Sequence, residues 1–321
     1  MRFKTVLAGV AGVLPASLLL IVLFLAIYSW PAIHFNGFSF VASNTWNLGN
    51  LYGNPVMVGG TQIAPGAHYG IVFLIAGTLL STLIALVVAV PVGVGAAVFL
   101  AEAVPGQLRV WLSLFVELLA AVPSVVFGLW GYVVVIPFLG HYVFPFLAAV
   151  LWFIPIFAGP TGSGYGLFTS GLVLALMIVP LIVATLRDAL VAQPAAIREA
   201  VTALGATRFE VISKVVLPSV NRVLIGATIL ALGRAMGETM AVLMVSGNAL
   251  NYLPRNIYAP ISTMAAFIVS QLDSALQDPT GMAVKSLAEI ALILSLLSLI
   301  INFLARLVLA LEAHGARRAT I

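Results

Sequence analysis

The chain has no cysteine among its 321 residues, only 7% charged residues and just four histidines, against 62% hydrophobic residues. Without cysteine there is no disulfide framework, no thiol nucleophile and no thiolate metal site. His34, His68, His141 and His314 lie far apart, with neither metal-ligand spacing nor a Ser-His-Asp arrangement around them. So few charges cannot clothe a water-soluble globule. The mean hydropathy of +1.18 says the same. Also missing is a glycine-rich loop able to cradle a nucleotide. Lys285-Ser286 ends like one, but Val284 stands where the loop needs glycine and only Gly281 lies nearby upstream. Any dependence on ATP must therefore be borrowed, and the chain is not expected to be an enzyme. The isoelectric point near 9.6 is no nucleic-acid footprint, because the basic residues are dispersed and flank apolar blocks, where they report membrane topology.

The apolar blocks are long enough to cross about 30 Å of hydrocarbon. They predict an all-α integral membrane protein with six transmembrane helices, near 6–29, 70–100, 110–138, 167–187, 219–246 and 285–310. The N-terminal apolar run is too long for a cleaved signal peptide and lacks a small-residue cleavage site, so it reads as a retained helix. Arg2, Lys4, Arg109, Arg187, Arg198, Arg208, Lys214, Arg222, Arg306, Arg317 and Arg318 then fall on one side, with Arg255 and Lys285 opposite. That asymmetry places both termini in the cytoplasm. Residues 142–157, carrying Pro145 and Pro155, are expected as an interfacial or re-entrant segment on the outer face. Ile261–Leu272 reads as an apolar helix within the second outer stretch, 247–284. The glycine-rich Gly162–Gly166 reads as an outer turn and not as an ion filter, which needs four such loops around one axis. The organisation is then 1–68 (first helix and outer segment), 69–310 (transmembrane domain) and 311–321 (cytoplasmic tail). No internal repeat is apparent, so any pseudo-symmetry must come from a second subunit.

Between the fourth and fifth spans, residues 195–218 interrupt the apolar pattern yet look helical. Pro194 gives a helix start and Gly205 a stop, and Thr207 with Glu210 has the spacing of a capping box that opens a second short helix. Two short helices joined at a glycine, carrying Arg198, Arg208 and Lys214, make a charged elbow suited to being gripped by another protein. A helix-turn-helix held this tightly between two spans could hardly reach a DNA groove.

Inside the fifth span, Arg234 and Glu238 have the spacing of neighbours on one helix face, near mid-membrane, with Gly233 and Gly237 beside them as a small-residue pair. Charges at that depth usually face a bundle interior or a watery path. Arg234 is read as a positive station for an anion, with Glu238 holding or releasing it; the blander reading is a buried ion pair that only fixes packing. Thr78, Ser81, Thr82 and Ser124 offer hydroxyls, which in apolar helices more often bond their own backbone. Glu117 reads as solvated or snorkelling. Lys285 and Glu289 read as a local salt bridge.

Glu199-Ala200, Gly205, Val215 and Leu217-Pro218 resemble the EAA loop of ABC importer permeases, departing at Val201 (Ala in the family) and Val215 (Ile in the family). The run from Gly233 to Asn248, with Val122–Gly131, Gly77–Leu80, Pro91–Gly95 and Gly171–Pro180, resembles the C-type permease of the phosphate-specific ABC importer over about residues 70–305. The resemblance implies a type I ABC importer permease fold and half of a phosphate pathway, with weight on Arg234 and Glu238. It implies coupling through Glu199, Ala200, Gly205, Ala206, Thr207, Arg208, Phe209 and Glu210. The implied partners are a homologous A-type permease, a cytoplasmic ATP-binding subunit dimer carrying the ATP and Mg, an extracytoplasmic phosphate-binding protein and membrane lipid. Three alternatives stay open: a related molybdate or sulfate permease, an ATP-independent channel or carrier, and a membrane docking scaffold.

Overall fold

The computed structural model describes the backbone of residues 2–318 and the side chains of Leu7 and 10–307. In chain order, the first helix, α1, runs Arg2–Asn36 and is followed by the short α2, Ser39–Ala42. Two small antiparallel pairs come next: β1 (Trp46–Asn47) with β4 (His68–Tyr69), and β2 (Val56–Val58) with β3 (Thr61–Ile63). Trp46 sits opposite Tyr69 and Met57 opposite Gln62. The helices that follow are α3 (Val72–Ala103), α4 (Gly106–Ala121), α5 (Ser124–Val150) and α6 (Leu167–Val191). The elbow is α7 (Ala195–Ala203) and α8 (Arg208–Ser219), and α9 (Asn221–Met236) and α10 (Met240–Val245) follow it. The last two are α11 (Met264–Leu276) and α12 (Met282–Arg318).

Among the described residues, five helices are long and apolar enough to cross a membrane. The count is six when α8 and α9, bent by 64°, are taken as one span. Six crossings were expected, and the third differs most in its bounds. The third is Ser124–Val150 and not 110–138: α4 ends at Val122-Pro123, where both residues are extended with ψ of 130° and 141°. Residues 142–150, expected in a re-entrant segment, instead complete α5, and only Pro155–Phe157 beyond it forms a separate 3-10 turn. The helical tail runs on to Arg318, so of the expected tail only 319–321 lies outside the described residues.

The prolines explain why α5 is so long. Wide π turns occur at Phe99–Ala103, Gly131–Val135, Leu139–Val143 and Ile212–Val216, each ending two residues before Pro105, Pro137, Pro145 or Pro218. Proline lacks an N–H and its ring presses on the carbonyl one turn back. In the last three, the residue before the proline donates five residues back, Ile136 to Gly131, Phe144 to Leu139 and Leu217 to Ile212. Widening the turn lets the chain stay helical through Pro137, Pro145 and Pro218, whereas α3 ends before Pro105, with Val104 extended. Breakers by sequence rule are thereby absorbed.

The bundle is organised around α6, whose span is the most buried of the five. Small residues on α3 (Ala85, Ala89) and α9 (Ala231, Ala235) pack on Leu174, Ile178 and Ile182 of α6. The approach is close enough that a Cβ at Gly171 would run into the Ile84 side chain. Two of the four hydroxyls bond their own helix as expected, Thr78 Oγ1 to the Leu74 carbonyl at 2.8 Å and Ser81 Oγ to that of Gly77 at 2.7 Å, whereas Thr82 Oγ1 is buried without a partner among the described residues. Thr78 Oγ1 also accepts from the buried Met264 N–H at 3.0 Å, tying the start of α11 to α3. At the elbow end, Leu186 and Leu190 of α6 pack with Leu100, Val211, Val216 and Val220, which seats α8 on the bundle.

Candidate functional site

The elbow is made by local chemistry. Pro194 precedes the first turn of α7, where its missing N–H costs nothing. Gly205 ends that helix at φ of 86°, a left-handed conformation that disfavours side chains. Thr207 then opens α8 through a complete capping box: its N–H donates to Glu210 Oε2 at 3.0 Å and its Oγ1 accepts from the Glu210 N–H at 3.4 Å. The Thr207 backbone, then the Lys214 ammonium at 3.0 Å, holds the Glu210 carboxyl below the usual carboxylate range.

What the elbow shows outward is apolar and charged at once. Leu204 and Phe209 are 88% and 78% exposed at its tip, while Glu199, Ala200 and Arg208 are exposed around them. Ala206 alone among the expected coupling residues turns inward, packing on the core below. Large apolar side chains held out on a rigid element mark a contact surface.

Beneath, Arg198 fastens the elbow to the bundle. Its Nε and Nη2 donate to Glu102 Oε1 at 3.1 and 2.7 Å. Its Nη1 and Nη2 reach the carbonyls of Gln193 and Leu190 at 3.0 and 2.8 Å. One guanidinium thus joins α7, the last carbonyls of α6 and the π turn ending α3. Arg187, one turn from the end of α6, bridges Asp188 at 2.6 Å and Glu117 of α4 at 3.1 Å.

The second candidate, Arg234 with Glu238, is not arranged as its spacing predicts. The helix stops at Met236, and α10 begins only at Met240. Glu238 therefore lies in the break, where its Oε1 accepts from the Ala241 N–H at 3.4 Å and steadies the start of α10. No ion pair or hydrogen bond joins it to Arg234 among the described residues. Arg234 is exposed on the chain's surface, in the last turn of α9. Gly233 lies against the Asn302 amide of α12, whereas Gly237 has only its own turn beside it. The expected Lys285–Glu289 bridge is also absent among the described residues. Glu289 is 4% exposed and accepts from Asn36 Nδ2 of α1 at 2.8 Å. The i,i+4 count finds neighbours on one helix but not a better donor on another.

The family profile described as binding-protein-dependent transport system inner membrane component matches residues 89–311. The chain is a member of that family. The permease is 45% identical over 304 residues to "Phosphate transport system permease protein PstC 1" of Mycobacterium tuberculosis, covering 94% of this chain and 90% of that one. It is 37% identical to "Phosphate transport system permease protein PstC" of Pasteurella multocida, over 90% of this chain and 85% of that one. Among solved structures it resembles a bacterial ABC transporter involved in the import of the acidic polysaccharide alginate, with TM-score 0.52 and 16% identity. That likeness spans 78% of this chain and 80% of that one and concerns fold alone.

Both candidate regions of the permease lie inside the matched segment. Sequence reasoning missed Glu102, the anchor for Arg198, because the partners are 96 positions apart. A lone carboxylate at the end of an otherwise apolar run was the available signal. It also missed the break at 237–239, although Gly237 followed by two polar residues marks it.

Proposed function

We propose that this permease forms half of the transmembrane pathway of an ATP-driven phosphate importer, paired with a homologous A-type permease. A separate cytoplasmic ATPase dimer, which holds the ATP and Mg, drives it by gripping the elbow at Glu199, Ala200, Gly205, Thr207, Arg208, Phe209 and Glu210. An external binding protein delivers the anion. Both termini and the elbow face the cytoplasm, in keeping with the asymmetry of Lys and Arg. This chain contributes no catalytic group and binds no cofactor.

The reading is supported by Arg234, an exposed cation in the last turn of a candidate span, paired with no carboxylate among the described residues, in a chain 45% identical to a phosphate permease. An arginine without an internal counterion attracts an anion, and its planar donors suit phosphate oxygens. Glu238, in the break that follows, is assigned to the same pathway. ATP-driven [32P]phosphate uptake by vesicles holding the assembled complex tests this directly. Arg234→Gln, with assembly checked, should abolish uptake, and Arg234→Lys should restore part of it. Normal uptake by Arg234→Gln removes the assignment. Competition by sulfate or molybdate as strong as by phosphate would move the substrate to another oxyanion.

A further inference from the structure

A groove between α4 and the elbow end of α6 plays no part in the proposed transport path, yet it is built from charged side chains of both signs. It encloses a cavity of about 530 Å³ lined by Arg109, Ser113 and Glu117 on α4 and by Arg187 and Asp188 on α6. Spacing on α4 places Arg109, Ser113 and Glu117 at successive turns of one face.

The hydrogen-bond account here is incomplete on both sides. Among the described residues, Arg109 Nε and Arg187 Nη1 are buried donors with no acceptor, and Ser113 Oγ has no partner. Arg187 is nine-tenths buried, its side chain only 10% exposed, and Arg109 is otherwise held only by the Val104 carbonyl at 3.1 Å. Among acceptors, Arg187 takes Glu117 Oε1 and Asp188 Oδ1; these side chains are 54% and 69% exposed, so Glu117 Oε2 and Asp188 Oδ2 face solvent with no protein donor among the described residues. Two cations and two anions give the groove no net charge, so an anion alone would satisfy its donors and be repelled by its carboxylates. A ligand matching both sets carries a phosphate and a hydrogen-bonding ammonium about one helical turn apart, ~5 Å.

We propose that this groove binds the headgroup of a phosphatidylethanolamine. Its phosphodiester accepts from Arg109, Ser113 and Arg187, and its primary ammonium, on a two-carbon bridge, donates to Glu117 and Asp188. The acyl chains lie along the lipid-facing side of α4, where Leu108, Trp111, Leu114, Phe115 and Leu118 are exposed. Arg187 sits one turn before the carbonyl of Leu190 that receives Arg198, so the bound headgroup braces the base of the elbow.

The chemistry dictates the controls. Phosphatidylcholine has the same phosphate and charge but a quaternary ammonium that cannot donate. Phosphatidylglycerol keeps the phosphate and lacks the ammonium. The assembled transporter, stripped of lipid in detergent and offered each lipid in equal amount, is read by native mass spectrometry for retained lipid. Phosphatidylethanolamine should be retained about tenfold over either competitor, and Arg109→Gln or Glu117→Gln should each bring it down to the phosphatidylcholine level. Ser113→Ala, a milder change, should lower retention severalfold without altering assembly. Equal retention of phosphatidylethanolamine and phosphatidylcholine, or preference for phosphatidylglycerol, overturns the proposal. So does displacement of bound lipid by millimolar inorganic phosphate, which would make the groove a simple phosphate site. Because retention is measured without transport, this outcome is independent of whether Arg234 carries the substrate.

Discussion

Removing Arg198 should loosen the elbow without unfolding the bundle. The side chain makes four donations, two to Glu102 and two to the carbonyls of Leu190 and Gln193. Arg198→Ala leaves Glu102 without its cation and deprives the carbonyls of Leu190 in α6 and Gln193 just beyond it of their donor. Breaking a fully buried pair costs about 3–5 kcal/mol. Here the side chains are 25% and 17% exposed, so solvent screening brings the expected loss to about 2 kcal/mol. The rest of the elbow is held separately, α8 by Val211 and Val216 on the core, so the loss falls on α7. Hydrogen exchange on the assembled complex in nanodiscs should therefore run about thirtyfold faster at the amides of 198–203. Those of α6 upstream of Arg187 should hardly change. ATPase activity should also lose its dependence on the transported anion. Arg198→Lys, which keeps the charge but not the fork, should fall between. Unchanged exchange at α7 in Arg198→Ala would refute the idea that this guanidinium fastens the elbow.

Other expectations follow from the same contacts. Thr78→Val removes the acceptor of the buried Met264 N–H, and an orphaned buried donor costs about 1–3 kcal/mol; the complex should melt several degrees lower, whereas Thr78→Ser should melt as the parent does. The Glu210 carboxyl titrates below its ordinary value because Thr207 and Lys214 favour its ionised form. Its stabilising effect is therefore complete above the ordinary carboxylate value and is lost as pH falls through the lowered one. Exchange at 208–211, corrected for intrinsic rate, should be flat from about pH 7 to 5 and rise only below about pH 4; a step near pH 6 would point to another group.

The sequence was most legible where the controlling chemistry is local. Pro194, Gly205 and the Thr207–Glu210 box act within a turn or two, and the elbow forms where those signals stand. Long apolar blocks mark helices because lipid leaves backbone groups no other partner. Reading failed where one local rule met another. Pro137 and Pro145 look like breakers, and nothing in hydropathy announces that a π turn will absorb them. At Arg234 and Glu238 a spacing rule was applied across a glycine that ends the helix, so the pair never forms on one face. Glu289 and Glu102 were misread or overlooked because their partners, Asn36 and Arg198, arrive from distant helices. Such pairings are fixed by packing.

The central claim is that a motor outside this polypeptide pushes on the elbow. Because the chain lacks cysteine, Phe209→Cys places a single thiol at an exposed tip. Cross-linking from it with a reagent that joins a thiol to a lysine amine through a reducible disulfide spacer, in membranes holding the whole transporter, followed by an uptake measurement, tests the claim most directly. The account predicts a covalent link to an ATP-hydrolysing subunit and loss of ATP-driven uptake on linking, restored by reduction. A Phe209→Cys chain that forms no such link, or uptake that continues unchanged once the link is made, would contradict it.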